Sequence, residues 1–198
     1  MRDYLIFDAE IKHGVVTDNN PAQPGYTYAN GWEDYEGMGI ACVCAFDTAA
    51  NRFRVFTETN LDALQDLIDT HNLVSFNGKR FDVPLFEANG VAARYNSDGD
   101  EIPHIDLAEL IWRAAGIPAD EHPRGMGLDA ICRANNIPGK TGNAADAPQQ
   151  WQDGHHGRVI DYCLGDIEST LRLFDLVALN AGIRDPRTGE WLTVQVPA

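Results

Sequence analysis

Apolar residues first cluster as Tyr4-Leu5-Ile6-Phe7, a run that predicts a short buried strand ending in Asp8-Ala9-Glu10. A second run, Gly39-Ile40-Ala41-Cys42-Val43-Cys44-Ala45-Phe46, reads as another strand. After a turn marked by Asn51, Arg52-Phe53-Arg54-Val55-Phe56 alternates polar and apolar positions like the second arm of a hairpin. Together the three predict an antiparallel meander. Past Asn60, a residue suited to helix capping, Leu61, Leu64, Leu67 and Ile68 fall on one helical face. Leu73-Val74-Ser75-Phe76 is a further short strand, Asn77-Gly78 a turn, and residues 83–89 a helix that tolerates Pro84 in its first turn.

The second half of the chain alternates in the same way. An Asn-Ser-Asp-Gly turn at 96–99 leads to an extended piece, Pro103-His104-Ile105. A helix follows over Leu107–Trp112, stopping at Gly116 before Pro118, and another runs from Leu128 to Ala134. The longest helix is expected from Gly157 to about Asn180, with Ile160, Leu164, Ile167, Leu171, Phe174 and Ala178 as its buried stripe. Residues 13–36 and 138–154 are rich in Gly, Asn and Asp and read as loops, the second with one helical turn. The end of the chain, about 183–198, is expected to form a tail or an edge strand over Trp191–Val196. A hairpin followed by strand–helix alternation predicts an α/β domain over residues 1–198, a mixed sheet with helices packed on both faces.

Composition narrows the function. A hydrophobic content of 44% excludes an intrinsically disordered chain. No apolar run reaches the roughly 20 residues needed to span a bilayer, and the opening run is too short for a signal peptide. A soluble, cytoplasmic protein is the expectation. With 15 Lys and Arg against 30 Asp and Glu, the net charge of −15 excludes a tight non-specific polyanion binder. A nucleic-acid function would have to work against that field, and bound cations are one way to offset it. Four cysteines make no disulfide framework. Cys42 and Cys44 share one face of a strand and point away from a mutual bond, Cys132 and Cys163 stand isolated, and no zinc spacing appears.

Three groups of residues carry candidate chemistry. Asp8 and Glu10, two apart in an extended strand, present two carboxylates on one side; alone, they fit a solvated strand end as well as a ligand pair. Asp82, in Phe81-Asp82 before a helix start, fits a helix cap, and Asn77 fits the turn it makes. Tyr162 and Asp166, four apart on the long helix, are neighbours on one face and alone fit a surface hydrogen bond. Together they supply four carboxylates, enough to hold two divalent cations roughly 3.5–4 Å apart. Oxygen ligands without His or Cys favour Mg²⁺ or Mn²⁺ over zinc.

The ordered set resembles the DEDD exonucleases of the ribonuclease H-like superfamily, in the DEDDy subgroup whose third motif carries Tyr. It is most similar to stand-alone 3′–5′ exonucleases related to the family B DNA polymerase proofreading domain. Besides the acids, Ser75 to Phe86, His104-Ile105-Asp106-Leu107, Ile137-Pro138-Gly139-Lys140 and Tyr162 to Asp166 follow that group's order, so the resemblance spans about residues 4–176. It implies a ribonuclease H-like mixed five-stranded sheet, its first three strands antiparallel, flanked by helices. Asp8, Glu10, Asp82 and Asp166 would then be the metal ligands of a two-metal 3′–5′ exonuclease. Tyr162 would orient the attacking water, since a phenol that ionises near about pH 10 is a poor base at neutrality. The substrate implied is the 3′ end of single-stranded nucleic acid, DNA ahead of RNA, with release of nucleoside monophosphates. A proofreading role would call for a separate polymerase or a replication or repair partner, and no membrane.

Substrate-binding candidates are Asn77, Phe81, Lys79 and Lys140, with Arg80 beside them as a further cation. For the cations, a solvated surface charge is an equal alternative. Asp106 is most simply a helix cap, and His155-His156 is a loop pair. Tyr26, Tyr28, Trp32 and Tyr35 of the 13–36 loop either stack on unpaired bases or cover the sheet edge. The competing function is a non-catalytic nuclease-fold module, binding or regulatory. No acidic loop of the EF-hand type supports a calcium binder.

Overall fold

The computed structural model describes residues 3–18, 20–138 and 142–196. Strand β1 (Tyr4–Ile11) is followed by two short strands, β2 (Gly14–Val15) and β3 (Tyr28–Ala29), and by a single-turn helix, α1 (Tyr35–Met38). Strands β4 (Ile40–Asp47) and β5 (Arg52–Phe56) form the hairpin, and α2 (Leu61–Ile68) leads into β6 (Asn72–Ser75). Helix α3 (Asp82–Ala88), strand β7 (His104–Asp106) and helices α4 (Leu107–Ala114) and α5 (Leu128–Ala134) come next. A 3₁₀ turn at Ala144–Asp146 and α6 (Ala147–Gln152) precede the long α7 (His156–Ala178); β8 (Ile183–Arg184) and β9 (Trp191–Leu192) end the described chain.

The main sheet has the order β5-β4-β1-β6-β7. Its first three strands in chain order pair antiparallel, and β6 and β7 are added parallel. This is the mixed five-stranded sheet expected. Helices cover both faces. On one, Leu5, Phe7 and Ala9 of β1 pack with Leu64 of α2 and Phe86 of α3; on the other, Ile6, Cys42 and Cys44 pack with Ile111, Cys132 and Ile167 of α4, α5 and α7. Successive strand residues point to opposite faces, so Asp8 and Glu10 share the α7 side with Ile6.

Several elements differ from the sequence reading. β1 runs through Asp8-Ala9-Glu10, its expected end, to Ile11: β4 pairs with it as far as Ile11↔Ile40, with a register shift between Glu10 and Ile11. The two carboxylates therefore sit inside a central strand. The 13–36 stretch is not bare loop, because β2 and β3 pair in parallel and Gln152 of α6 bonds Lys12 O at 3.0 Å and Thr27 O at 3.1 Å. Asn60 holds the N-cap position of α2 but gives its side-chain oxygen to Thr57 N–H rather than to the helix. Residues 144–152 fold a 3₁₀ turn and a helix, where a loop with one helical turn was expected over 138–154. His156 begins α7, its ring stacked on Trp151 at 4.0 Å, and so is not loop.

The chain's end closes on itself. Asp185 N–H bonds Glu190 O at 2.8 Å, making a β8–β9 hairpin separate from the main sheet, in place of an edge strand over 191–196. On α7, Ile167 and Phe174 are buried as expected, but Ile160, Leu164 and Leu171 are only half-buried and Ala178 is exposed. The buried stripe is turned toward Val159, Cys163, Asp166, Thr170 and Val177. A count of apolar residues misses it because part of the face against the sheet is polar.

Candidate active site

Asn77 begins the turn that builds one wall of the site, and it adopts the left-handed backbone (φ 67°) that asparagine tolerates. The Asp106 carboxylate holds this turn by accepting from Asn77 N–H at 2.8 Å and Lys79 N–H at 3.0 Å. It also accepts from Ala108 and Glu109 N–H, so the expected cap of α4 is present and does a second job. Ser75 Oγ takes the Gly78 N–H at 3.2 Å. A Cβ on Gly78 would lie 2.5 Å from that oxygen and 3.0 Å from Asp82 Oδ2, so the turn runs directly over the Asp82 carboxylate and only glycine fits.

Asp82 is not a helix cap. Phe81 holds the cap position, and Asp82 opens α3 with its carboxylate accepting the backbone N–H of Ala9 in β1. Burial pushes its carboxyl up to about 7, and the nearby carboxylates of Asp106 and Asp166 push the same way, against the bond from Ala9. Opposite it, α7 presents Tyr162, Cys163 and Asp166 to β1, all buried. The thiol of Cys163 donates to Asp8 O at 3.4 Å and to Asp8 Oδ2 at 3.6 Å. Ligand atoms of Asp8, Glu10 and Cys163 all lie within 4.8 Å of one another. Gly142 backs the phenol of Tyr162, where an added Cβ would come within 2.8 Å of the ring.

All five sequence-predicted residues, Asp8, Glu10, Asp82, Tyr162 and Asp166, line a single open cleft of about 840 Å³, and Asn77 and Phe81 line it too. Lys79 does not: its ammonium pairs with Glu109 at 3.1 Å in a smaller neighbouring hollow. Arg80 points to the same hollow, its guanidinium 5.4 Å above the Trp112 ring and bonded to Glu121 O at 2.9 Å. Lys140 lies outside the described residues. Of the loop aromatics, Trp32 lines the cleft with 60% of its surface exposed, so it does not cover the sheet edge. Tyr35 instead packs on Phe81, ring centroids 6.0 Å apart.

The sequence reading missed part of the wall. Trp112 lines the cleft with Phe76 at 6.3 Å and His122 at 5.3 Å, both edge-on, and exposed Arg124 lies beside them. For His122 and Arg124 the signal is a Pro- and Gly-rich stretch, residues 116–127, after α4, while Trp112 reads only as part of the apolar face of that helix. The donor set suits hard cations. Asp8, Glu10, Asp82 and Asp166 offer oxygen and no imidazole, and Asp82 is pressed toward its protonated form by burial and by its acidic neighbours, a cost that a cation removes.

Residues 22–178 match the family model RNase_H_2, described as RNase_H superfamily. The matched span includes Asp82, Tyr162 and Asp166 and starts after β1. Among solved structures, the family B DNA polymerase from the hyperthermophilic archaeon Pyrobaculum calidifontis is similar in fold, with a TM-score of 0.63 and 18% identity. That alignment covers 89% of this chain and 24% of the polymerase chain, so this chain spans about a quarter of that protein. No curated protein matches.

Proposed function

The chain belongs to the RNase_H superfamily, and on that premise we propose that it is a DEDDy-type, metal-dependent 3′–5′ exonuclease. Its substrate would be the 3′ end of single-stranded nucleic acid, DNA ahead of RNA, and its products nucleoside monophosphates. One observation carries the reading: four carboxylates from β1, α3 and α7, far apart in sequence, line one cleft with Tyr162 among them. A binding module of the same fold has no need of all five.

In this reading Asp8, Glu10, Asp82 and Asp166 hold two divalent cations, Mg²⁺ or Mn²⁺. Such cations would supply an acidified attacking water and charge neutralisation at the leaving 3′ oxygen. Tyr162 positions that water by hydrogen bonding, its ring held by the Gly142 backbone. Asn77 and Phe81 shape the wall against the terminal nucleotide. The exposed ring of Trp32 offers a base a stacking surface worth about 1–3 kcal/mol, and Arg124 offers a phosphate contact. Lys79 would contribute to strand binding only after leaving Glu109; Lys140 is a further candidate cation.

The test is an assay on 5′-labelled oligonucleotides, DNA and RNA, single-stranded and duplex, with Mg²⁺ or Mn²⁺ and with EDTA. A ladder shortening by single nucleotides from the 3′ end, only with divalent cation and fastest on single strands, is expected. Binding without hydrolysis would identify a non-catalytic module, and internal cuts would rule out an exonuclease.

A further inference from the structure

A second set of close ligand atoms lies beneath the carboxylates. The sulfurs of Cys42 and Cys44 on β4 and of Cys163 on α7 all lie within 4.8 Å of one another. All three residues are 0% exposed, and none is in a disulfide. Their meeting corrects the sequence reading that left Cys163 isolated. It follows from the register: Glu10 and Asp8 stand opposite Cys42 and Cys44, so both thiols face α7, where Cys163 follows Tyr162.

Three thiols in contact exceed what packing asks of a small core residue. Among the described residues, Cys44 and Cys163 gain only weak S–H···O bonds from the backbone, at 3.8 Å to Ile160 O and 3.4 Å to Asp8 O. A disulfide would use only two of the three sulfurs. A zinc–sulfur bond of about 2.3 Å places the sulfurs of a thiolate set roughly 3.8 Å apart, so closure around an ion takes movements of about 1 Å or less. Soft thiolates select soft or borderline ions over the hard cations that suit the cleft.

We propose that Cys42, Cys44 and Cys163 bind one thiophilic d¹⁰ cation, zinc(II) in the first instance, as a clamp between β4 and α7. Asp8 Oδ2, 3.6 Å from Cys163 Sγ, is an oxygen within reach of a fourth position. The clamp would tie the helix carrying Tyr162 and Asp166 to the sheet. Loading accompanies folding, because the native core covers all three sulfurs. Competition for Asp8 between this ion and a hard cation rests on the nuclease reading; binding by the thiols does not.

Metal-free, fully reduced protein, refolded as the whole chain with Cd²⁺ as probe, tests the site. A sulfur-to-cadmium ultraviolet charge-transfer band saturating at one ion per chain is expected. Cys42→Ala and Cys44→Ala should each weaken binding by more than about a hundredfold, and Cys132→Ala, outside the cluster, should leave it unchanged. Should the cluster variants fail to fold, X-ray absorption on the zinc-loaded native chain decides, with sulfur neighbours at about 2.3 Å expected. A missing band, a zinc shell of oxygen and nitrogen alone, or equal loss in Cys132→Ala overturns the proposal whether or not the chain hydrolyses nucleic acid.

Discussion

Asp82 carries the electrostatic tension of the cleft, and that tension has a measurable sign. Its carboxyl titrates at 3.8 when unperturbed and at about 7 in the folded, metal-free protein. Between those values the native state holds a proton that the unfolded chain has released, so its contribution to stability falls as pH rises and levels off above about pH 7. His104 has the opposite slope. Burial, and then Lys79, hold it down to about 3 from 6.5, so stability from that group rises with pH over the same interval. The readout is therefore a difference. In EDTA, the Tm of Asp82→Asn minus that of the native protein should grow from pH 4 to pH 7 and then stay level; a difference independent of pH would remove the raised carboxyl. Catalysis at the same scale separates ligands from the phenol. Asp166→Ala should lower mononucleotide release by at least about a thousandfold, whereas Tyr162→Phe, which keeps the ring and loses the hydroxyl, should cost about 10–100-fold. Wild-type turnover by Asp166→Ala in Mg²⁺ would end the metal-ligand assignment.

At the scale of elements, one carboxylate joins a turn to a helix. Asp106 accepts from Asn77, Lys79, Ala108 and Glu109, so it fixes the turn above Asp82 and the start of α4 together. Removing it strands buried donors as well as a cap. Asp106→Ala should cost roughly 2–4 kcal/mol in urea unfolding, and Asp106→Asn, which keeps one acceptor oxygen, should recover part of it. A cost below about 0.5 kcal/mol would mean that water or a shifted turn replaces these bonds. Elements were also where the sequence was most and least legible. The spans of β5 and α2 are as expected, but only α2 reports burial, with Leu64 and Ile68 buried; in β5 the apolar Phe53 and Val55 are exposed and Phe56 alone is buried. Asp8 and Glu10 look like a strand's end but lie inside β1, which closes at Ile11, and the α7 stripe was misplaced because Tyr162, Asp166, Ser169 and Thr170 are buried polar residues. The same polar residues that defeat a hydrophobic count are what made the ordered acid motif readable. Trp112, His122 and Arg124 had no such motif and reach the cleft only through tertiary packing.

For the molecule as a whole, a net charge of −15 must be reconciled with the polyanionic substrate of the proposed function. Long-range repulsion works against binding, so affinity has to come from contacts inside the cleft. The nearby cations are few and partly engaged: Lys79 and Arg113 both pair with Glu109, while Arg124 lies exposed at the cleft wall. Each phosphate neutralised on a single strand contributes about −0.7 to the slope of log affinity against log salt. With roughly two or three such contacts the slope should lie between about −1.4 and −2.1. Fluorescence anisotropy of a labelled single strand on Asp166→Ala, which binds without turnover in this reading, measures it directly. Dissociation after each few cleavages follows from the same shallow electrostatics, and an oligonucleotide chase should reset the ladder. A slope steeper than about −4 would require roughly six or more phosphate contacts. A single chain of this charge would then not be the binding unit, and a basic surface would have to come from a partner.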